Sequence, residues 1–215
     1  MSCWKGIIFD LDGVVVSTDD CHYRAWKFLA DAEGIPFDRT VNERLRGVSR
    51  MESLQIILEK SKKEYTPEEK IALADRKNEV YKKYISALTE RDILPGVVRF
   101  LNLCRENKLR IAIGSSSKNT KAILKQVGLL DAFDAVVDGN DITHSKPDPE
   151  VFVKAAAALG LNPEDCLVVE DADAGIEAAV AAGMAALGVG SAEHCKKATY
   201  HAPSLDSDTA RELLG

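Results

Sequence analysis

Short apolar runs and helical patterns alternate along most of the chain. Residues 6–9 form an apolar run that ends in an acidic, glycine-containing turn, which is typical of a short buried strand. Beyond residue 95 the pattern predicts strands at 109–114, 135–138, 166–170 and 185–189, and helices at 97–106, 120–126, 149–159 and 174–182. Because these strands are apolar throughout and helices separate them, we predict an α/β fold with a doubly wound, Rossmann-like parallel sheet.

A second kind of pattern fills residues 16–90, which are predicted to be almost entirely helical. Helices are expected from Ser17 or Thr18, as N-cap, to Gly34, then over 51–59, and from Thr66 to about residue 88. We therefore predict a core domain made of residues 1–15 and 91–215. A small α-helical cap domain, residues 16–90, is inserted after its first strand. The tail is expected to hold a strand near 199–201 and a short helix from about residue 207.

Composition excludes several classes of function. The chain has 215 residues, is 46% hydrophobic and 29% charged, and carries a net charge of −6 with no basic block. This argues against nucleic acid or an anionic membrane as a partner. No apolar run reaches the roughly 18 residues of a membrane span, and the start lacks a signal-peptide pattern, so we expect a cytoplasmic protein. The five cysteines show no spacing typical of a metal site.

Polar residues follow the predicted strands at the ends where a parallel sheet binds ligands. Asp10 and Asp12 follow the first strand, Ser115 follows the second, and Glu170 and Asp171 close a later one. Lys146 lies in the loop after residue 138. Neighbouring carboxylates repel one another unless a cation intervenes, and oxygen ligands of this kind suit Mg²⁺. Lysine and hydroxyl groups beside such a cation suit a phosphoryl group.

Each of these motifs alone has an ordinary structural explanation, such as an acidic loop, a turn or a helix start. Their joint occurrence at successive strand ends favours a site. The chain lacks the glycine-rich P-loop for nucleotides, and Gly188-Val189-Gly190 does not complete a dinucleotide fingerprint.

The four motifs, in this order, resemble those of the haloacid dehalogenase superfamily. They are Asp10-Leu11-Asp12-Gly13, the Ser115 region, Lys146-Pro147 and Glu170-Asp171. The resemblance implies that Asp10 is a nucleophile and metal ligand, and that Asp12 is a general acid/base whose backbone carbonyl also binds Mg²⁺. It implies Glu170 and Asp171 as further metal ligands, with Ser115 and Lys146 holding the transferring phosphoryl group.

Three further stretches resemble the sugar phosphomutases of this superfamily: residues 18–22 with 25–26, residues 46–50, and residues 115–119. The resemblance implies that Arg50 grips a distal phosphate. It assigns the placement of the sugar to a further set of residues: His22, Arg46, Gly47, Ser117 and Asn119. The family commonly has lysine where this chain has Arg46, and the two side chains are poor substitutes at a close contact.

From these residues we expect phosphoryl transfer through an aspartyl-phosphate, with Asp12 moving the proton. The leading hypothesis is an Mg²⁺-dependent mutase that interconverts β-glucose 1-phosphate and glucose 6-phosphate through the 1,6-bisphosphate, and we expect it to be a monomer. One alternative is a sugar-phosphate phosphatase on the same scaffold. A different class, a non-catalytic phosphoacceptor domain, also places acids, a hydroxyl and a lysine at strand ends, but such domains are shorter and have no inserted cap.

Overall fold

The computed structural model describes residues 4–46 and 48–214. Within that part, six parallel strands form one sheet in the order β3-β2-β1-β4-β5-β6. The strands are β1 (Gly6–Phe9), β2 (Arg110–Gly114), β3 (Ala135–Val137), β4 (Cys166–Glu170), β5 (Ala185–Gly188) and β6 (Tyr200–His201). Successive strands are added outward from β1 on one side of the sheet and outward from β4 on the other. The topological switch point therefore lies between these two central strands. The predicted doubly wound sheet is confirmed.

Helices cover both faces of the sheet, and four further helices are inserted in the sequence between β1 and β2. The inserted helices are α1 (Asp19–Ala32), α2 (Arg39–Glu43), α3 (Arg50–Leu58) and α4 (Pro67–Ile85). The remaining helices are α5 (Val97–Glu106), α6 (Thr120–Gln126), α7 (Glu150–Ala158), α8 (Asp173–Ala181) and α9 (Asp208–Glu212). Among the described residues, no helix has both the length and the apolar character that a membrane span needs.

Side chains of the central strands point alternately to the two faces of the sheet and form two separate cores. Ile7 and Phe9 of β1 point to one face and pack with α5, α6 and α9, while Ile8 points to the other face and packs with α7 and α8. All three side chains are fully buried. Because successive side chains of a strand point to opposite faces, a run of apolar residues is what a sheet covered on both faces requires.

The inserted helices have an apolar core of their own. Trp26 and Leu29 of α1 pack with Leu54 of α3 and Leu73 of α4 in a cluster separate from the two cores of the sheet. The end of α4 departs from this arrangement, since Tyr81 and Ile85 belong to the core that also contains Phe9. The insertion is thus packed internally and is anchored to the sheet at its base.

Two details of the insertion differ from the sequence predictions. Helix α2 was not predicted, because its five residues are too few to show a helical period. Helix α4 ends at Ile85 rather than near residue 88. The remaining boundaries agree within about two residues, and the tail contains the expected strand and helix as β6 and α9.

Two glycines with positive φ allow a direct test of how the start of α5 is packed. Gly34 follows α1 at φ +67°, and a Cβ there would meet no atom within 4 Å. Gly96 precedes α5 at φ +84°, and its Cβ would lie 2.4 Å from the backbone nitrogen of Asp206. We expect Gly34→Ala to lower the free energy of unfolding by about 1 kcal/mol, from backbone strain alone. Gly96→Ala should cost at least about 2 kcal/mol, because overpacking adds to the strain.

Urea unfolding of the two variants beside the native protein measures this difference. Equal losses would show that the contact between Gly96 and the loop before α9 relaxes without cost.

Candidate active site

The ends of the central strands bring the predicted polar residues together. Asp10 follows β1, Ser115 follows β2, and Glu170 is the last residue of β4. The strands β2 and β4 both pair with β1 in parallel, so their carboxyl ends meet at one edge of the sheet. All three side chains are buried. The site is therefore a consequence of the strand order.

Lys146 lies at the centre of this edge. Its ammonium nitrogen is 2.5 Å from Asp10 Oδ1 and 2.8 Å from Glu170 Oε2, and its side chain is 1% exposed. Burial by itself lowers the pKa of Lys146, but the two carboxylates more than offset this and raise it above the ordinary value. Lys146 is therefore a permanent positive charge beside the Asp10 carboxylate.

Three acids form a cluster that fits a hard cation. Asp10, Glu170 and Asp171 each place a carboxylate oxygen so that all three atoms lie within 4.8 Å of one another. Burial raises the pKa of Glu170, with Lys146 opposing the shift and Asp10 adding to it. Burial, and then the charges of Glu170 and Asp10, raise the pKa of Asp171. Such crowding of negative charge is relieved by a cation, and three carboxylate oxygens are suitable ligands for Mg²⁺.

Two of these acids pack so closely against glycines that no larger residue would fit there. A Cβ on Gly13 would lie 2.1 Å from Asp171 Oδ2, and one on Gly175 would lie 2.0 Å from the carboxyl of Glu170. The other oxygen of Glu170, Oε1, accepts hydrogen bonds from the backbone nitrogens of Asp171 and Ala172 at 3.1 and 3.0 Å. The Glu170 carboxylate is thus fixed by backbone hydrogen bonds, and Asp171 packs directly against the backbone at Gly13.

Asp12 is held differently from the other acids. The hydroxyl of Thr18 donates a hydrogen bond to Asp12 Oδ1. Thr18 occupies the predicted N-cap position of α1, but its side chain makes no capping hydrogen bond and contacts Asp12 instead. Burial, together with the Asp10 charge, raises the pKa of Asp12 to about 7. A carboxyl with this pKa can both give and take a proton near neutral pH.

The loop after β2 is organised by its own hydroxyls. Ser115 Oγ accepts a hydrogen bond from the Ser117 backbone nitrogen at 3.1 Å, and Ser117 Oγ accepts one from the Asn119 backbone nitrogen at 3.3 Å. The Asn119 side chain donates to Asn78 Oδ1 on α4 at 3.0 Å. The predicted residue Asn119 therefore links the sheet edge to the insertion, through a partner that the sequence analysis missed.

The predicted residues of the insertion face the same space. His22, Arg46 and Arg50 line a cavity of about 530 Å³, together with residues from the sheet edge that include Asp10 and Lys146. Arg50 begins α3 and has Asp75 Oδ1 3.9 Å away as its ion-pair partner. Gly47, also predicted, lies outside the described residues. The cavity thus has an acidic wall with Lys146 on the sheet and a wall with basic side chains on the insertion.

Lys77 is a buried residue of this cavity that the sequence analysis missed. It is 2% exposed, and its ammonium lies 4.6 Å from the Trp26 ring centre, 4.5 Å from the Tyr81 ring centre and 3.1 Å from His22 Nδ1. In its charged form Lys77 can only donate, so His22 Nδ1 then accepts. Burial, together with the Lys77 charge, lowers the pKa of His22. The detectable signal was the pair Lys77-Asn78 interrupting the apolar face of α4.

The comparisons with known proteins agree with this geometry. The family model of the haloacid dehalogenase-like hydrolases matches residues 4–183. The chain belongs to this family. Membership, and with it enzymatic activity, is therefore confirmed.

Within the haloacid dehalogenase-like hydrolases, two named groups of relatives are similar to the chain. It is 47% identical to the β-phosphoglucomutase of Bacillus subtilis over 188 residues, which are 86% of this chain and 83% of the relative. It is 34% identical to the fructose-1-phosphate phosphatase of Escherichia coli K12, over 86% of this chain and 96% of the relative. The crystal structure of β-phosphoglucomutase from Clostridium difficile matches with a TM-score of 0.91 and 40% identity, covering 98% of this chain and 97% of that one.

Burial of Lys77 predicts a specific dependence of stability on pH. Burial, reinforced by the Arg50 charge, lowers the pKa of Lys77 to about 7, whereas an unfolded lysine titrates near 10.4. Between these values the unfolded chain holds a proton that the folded protein has lost, so the Lys77 contribution makes the folded state more stable as pH rises. The free energy of unfolding of the native protein, minus that of Lys77→Met, should increase by roughly 1–2 kcal/mol from pH 7 to pH 9.

Urea unfolding at the two pH values measures this difference. Lys82→Met is the matched control, since Lys82 lies on the same helix but is exposed and paired with Glu79. Parallel pH curves for Lys77→Met and the native protein would contradict the prediction.

Proposed function

We propose that this enzyme is an Mg²⁺-dependent sugar phosphomutase that converts β-glucose 1-phosphate to glucose 6-phosphate through the 1,6-bisphosphate. The observation that carries the proposal is Arg50, a second basic group on the insertion wall of the cavity that holds Lys146 on its sheet wall. A mutase must bind a bisphosphate at both ends, whereas a phosphatase needs one phosphate site. The 47% identity with a β-phosphoglucomutase supports the same conclusion.

The geometry of the sheet edge supports the proposed roles. Asp10 is the nucleophile, because its carboxylate lies at the centre of the polar cluster, 2.5 Å from the Lys146 ammonium. Lys146 and Ser115 hold the transferring phosphoryl group. Asp10, Glu170, Asp171 and the backbone carbonyl of Asp12 would hold Mg²⁺, which when bound neutralises charge on the phosphoryl oxygens.

The reaction has two phosphoryl transfers, and a different phosphoryl group moves in each. In the first, phosphorylated Asp10 gives its phosphoryl group to the 6-hydroxyl of β-glucose 1-phosphate: the new oxygen–phosphorus bond forms, the bond to Asp10 breaks, and Asp12 takes the hydroxyl proton. The bisphosphate then binds in the opposite orientation. In the second, Asp10 attacks the 1-phosphoryl group, and Asp12 returns the proton to the leaving sugar oxygen, giving glucose 6-phosphate.

We propose that residues 16–90, with the helices α1–α4, act as a cap that selects the acceptor. Its side chains form one wall of the cavity, so a bound sugar would be enclosed between this wall and Asp10. Enclosure favours a sugar hydroxyl over water as the acceptor. His22, Arg46, Gly47, Ser117 and Asn119 are proposed to place the sugar.

Phosphorus NMR tests the function in one sample that contains the protein, Mg²⁺, β-glucose 1-phosphate and a trace of the 1,6-bisphosphate. The proposal predicts a growing glucose 6-phosphate signal with little inorganic phosphate. Accumulation of inorganic phosphate instead would identify a sugar-phosphate phosphatase, which the 34% identity with a fructose-1-phosphate phosphatase favours as the second candidate.

Replacing Arg50 separates the two phosphate sites. Arg50→Ala should lower kcat/KM of the mutase reaction by about 10- to 100-fold, because a charge-assisted hydrogen bond to the distal phosphate is lost. Hydrolysis of p-nitrophenyl phosphate, which has no distal phosphate, should change less than about threefold. Arg76→Ala is the control, since Arg76 lies on α4 and pairs with Glu33. Equal losses in both reactions for Arg50→Ala would show that Arg50 binds no distal phosphate.

A further inference from the structure

Arg46 joins the insertion to the sheet edge through an ion pair with a residue of the acidic cluster. Its Nη2 atom lies 3.1 Å from Asp171 Oδ2 and 2.5 Å from Asp19 Oδ2, and its Nη1 atom lies 3.5 Å from Glu43 Oε2. The side chain of Asp171 is 7% exposed and that of Arg46 is 23% exposed. Since Arg46 follows α2 and Asp171 follows β4, this partly buried contact joins the insertion to the cluster.

Charge balance explains why Asp171 needs this partner. Lys146 lies against Asp10 and Glu170. In the described part of the chain, Arg46 is the basic residue that forms an ion pair with Asp171. Burial and the nearby acids raise the pKa of Asp171, and the Arg46 charge opposes that shift. The guanidinium therefore supplies the positive charge that this carboxylate lacks.

A divalent cation in the cluster would compete with that charge. Asp171 supplies one of the three carboxylate oxygens that lie within 4.8 Å of one another. A guanidinium 3.1 Å from the same carboxylate repels a cation bound there, and the low exposure of the site weakens solvent screening. By thermodynamic linkage, a cation must weaken the Arg46 contact as much as Arg46 weakens cation binding.

We propose that Arg46 is a latch that couples the position of the insertion to the metal site: it holds Asp171 when no divalent cation is bound, and it releases Asp171 when one binds. A sugar phosphate would then offer Arg46 another anionic partner. The inference rests on the Mg²⁺ site of the proposed function. Arginine suits this latch better than lysine, because its planar group contacts Asp19, Asp171 and Glu43 together.

Titration calorimetry of Mg²⁺ without sugar phosphate tests the latch. Arg46→Gln should bind Mg²⁺ at least about fivefold more tightly than the native protein, as expected for a coupling between neighbouring sites. Arg44→Gln is the matched control: it removes the same charge two residues away, but Arg44 pairs with Glu59 at 2.8 Å on the exposed surface. Its Mg²⁺ affinity should stay within about twofold of native.

Hydrogen exchange gives a second measurement that does not depend on turnover. In the native protein, saturating Mg²⁺ should speed exchange of the amides of α2 and residues 44–46. In Arg46→Gln, exchange there should already be fast and insensitive to Mg²⁺. Equal or weaker Mg²⁺ binding by Arg46→Gln, or slower exchange of native α2 with Mg²⁺, would overturn the latch alone. Absence of Mg²⁺ binding in every variant would overturn the proposed metal site itself.

Discussion

The ammonium of Lys146 has two carboxylate partners that come from different strands, Asp10 after β1 and Glu170 at the end of β4. A buried charge is tolerated only where partners of opposite sign surround it. The contact therefore requires β1 and β4 to be adjacent, parallel and in register, with Ile8 and Val168 paired and fully buried beneath the site. The pairing of β1 with β4 is therefore required both for the packing of the sheet and for the ion pairs at its edge.

The two walls of the cavity differ in how their side chains are held. The sheet wall holds the acids and Lys146, and buried ion pairs and backbone hydrogen bonds fix Asp10, Lys146 and Glu170. The insertion is anchored at its base by apolar packing, and its wall also meets the sheet wall through polar contacts that can exchange partners, such as Asn119 with Asn78 and Arg46 with Asp171. Polar contacts of this kind suit a wall that admits and releases the proposed sugar phosphate, whereas the internal apolar core of the insertion keeps its shape.

Sequence reasoning predicted the sheet and its polar edge well, because a strand buried on both faces and a residue at its carboxyl end both leave local patterns. Asp10, Lys146 and Glu170 were found in this way. The contacts of Thr18, Lys77 and Asn78 were not, since they depend on how α1 and α4 pack over the sheet. Thr18 had two physically reasonable uses, a helix cap or a partner for Asp12, and only tertiary structure decides between them. The acidic cluster of Asp10, Glu170 and Asp171 contributes to the excess of acidic residues that gives the chain its net charge of −6.

The central claim is that Asp10 carries the phosphoryl group during turnover. The most direct test is to quench the enzyme in acid while it turns over β-glucose 1-phosphate with Mg²⁺ and the 1,6-bisphosphate, then to locate the phosphoryl group by peptide mass spectrometry after borohydride reduction. We expect a reduced, formerly phosphorylated residue at Asp10. Phosphorylation of Asp12 or Ser115 instead, or turnover with no phosphorylated residue at any quench time, would contradict it.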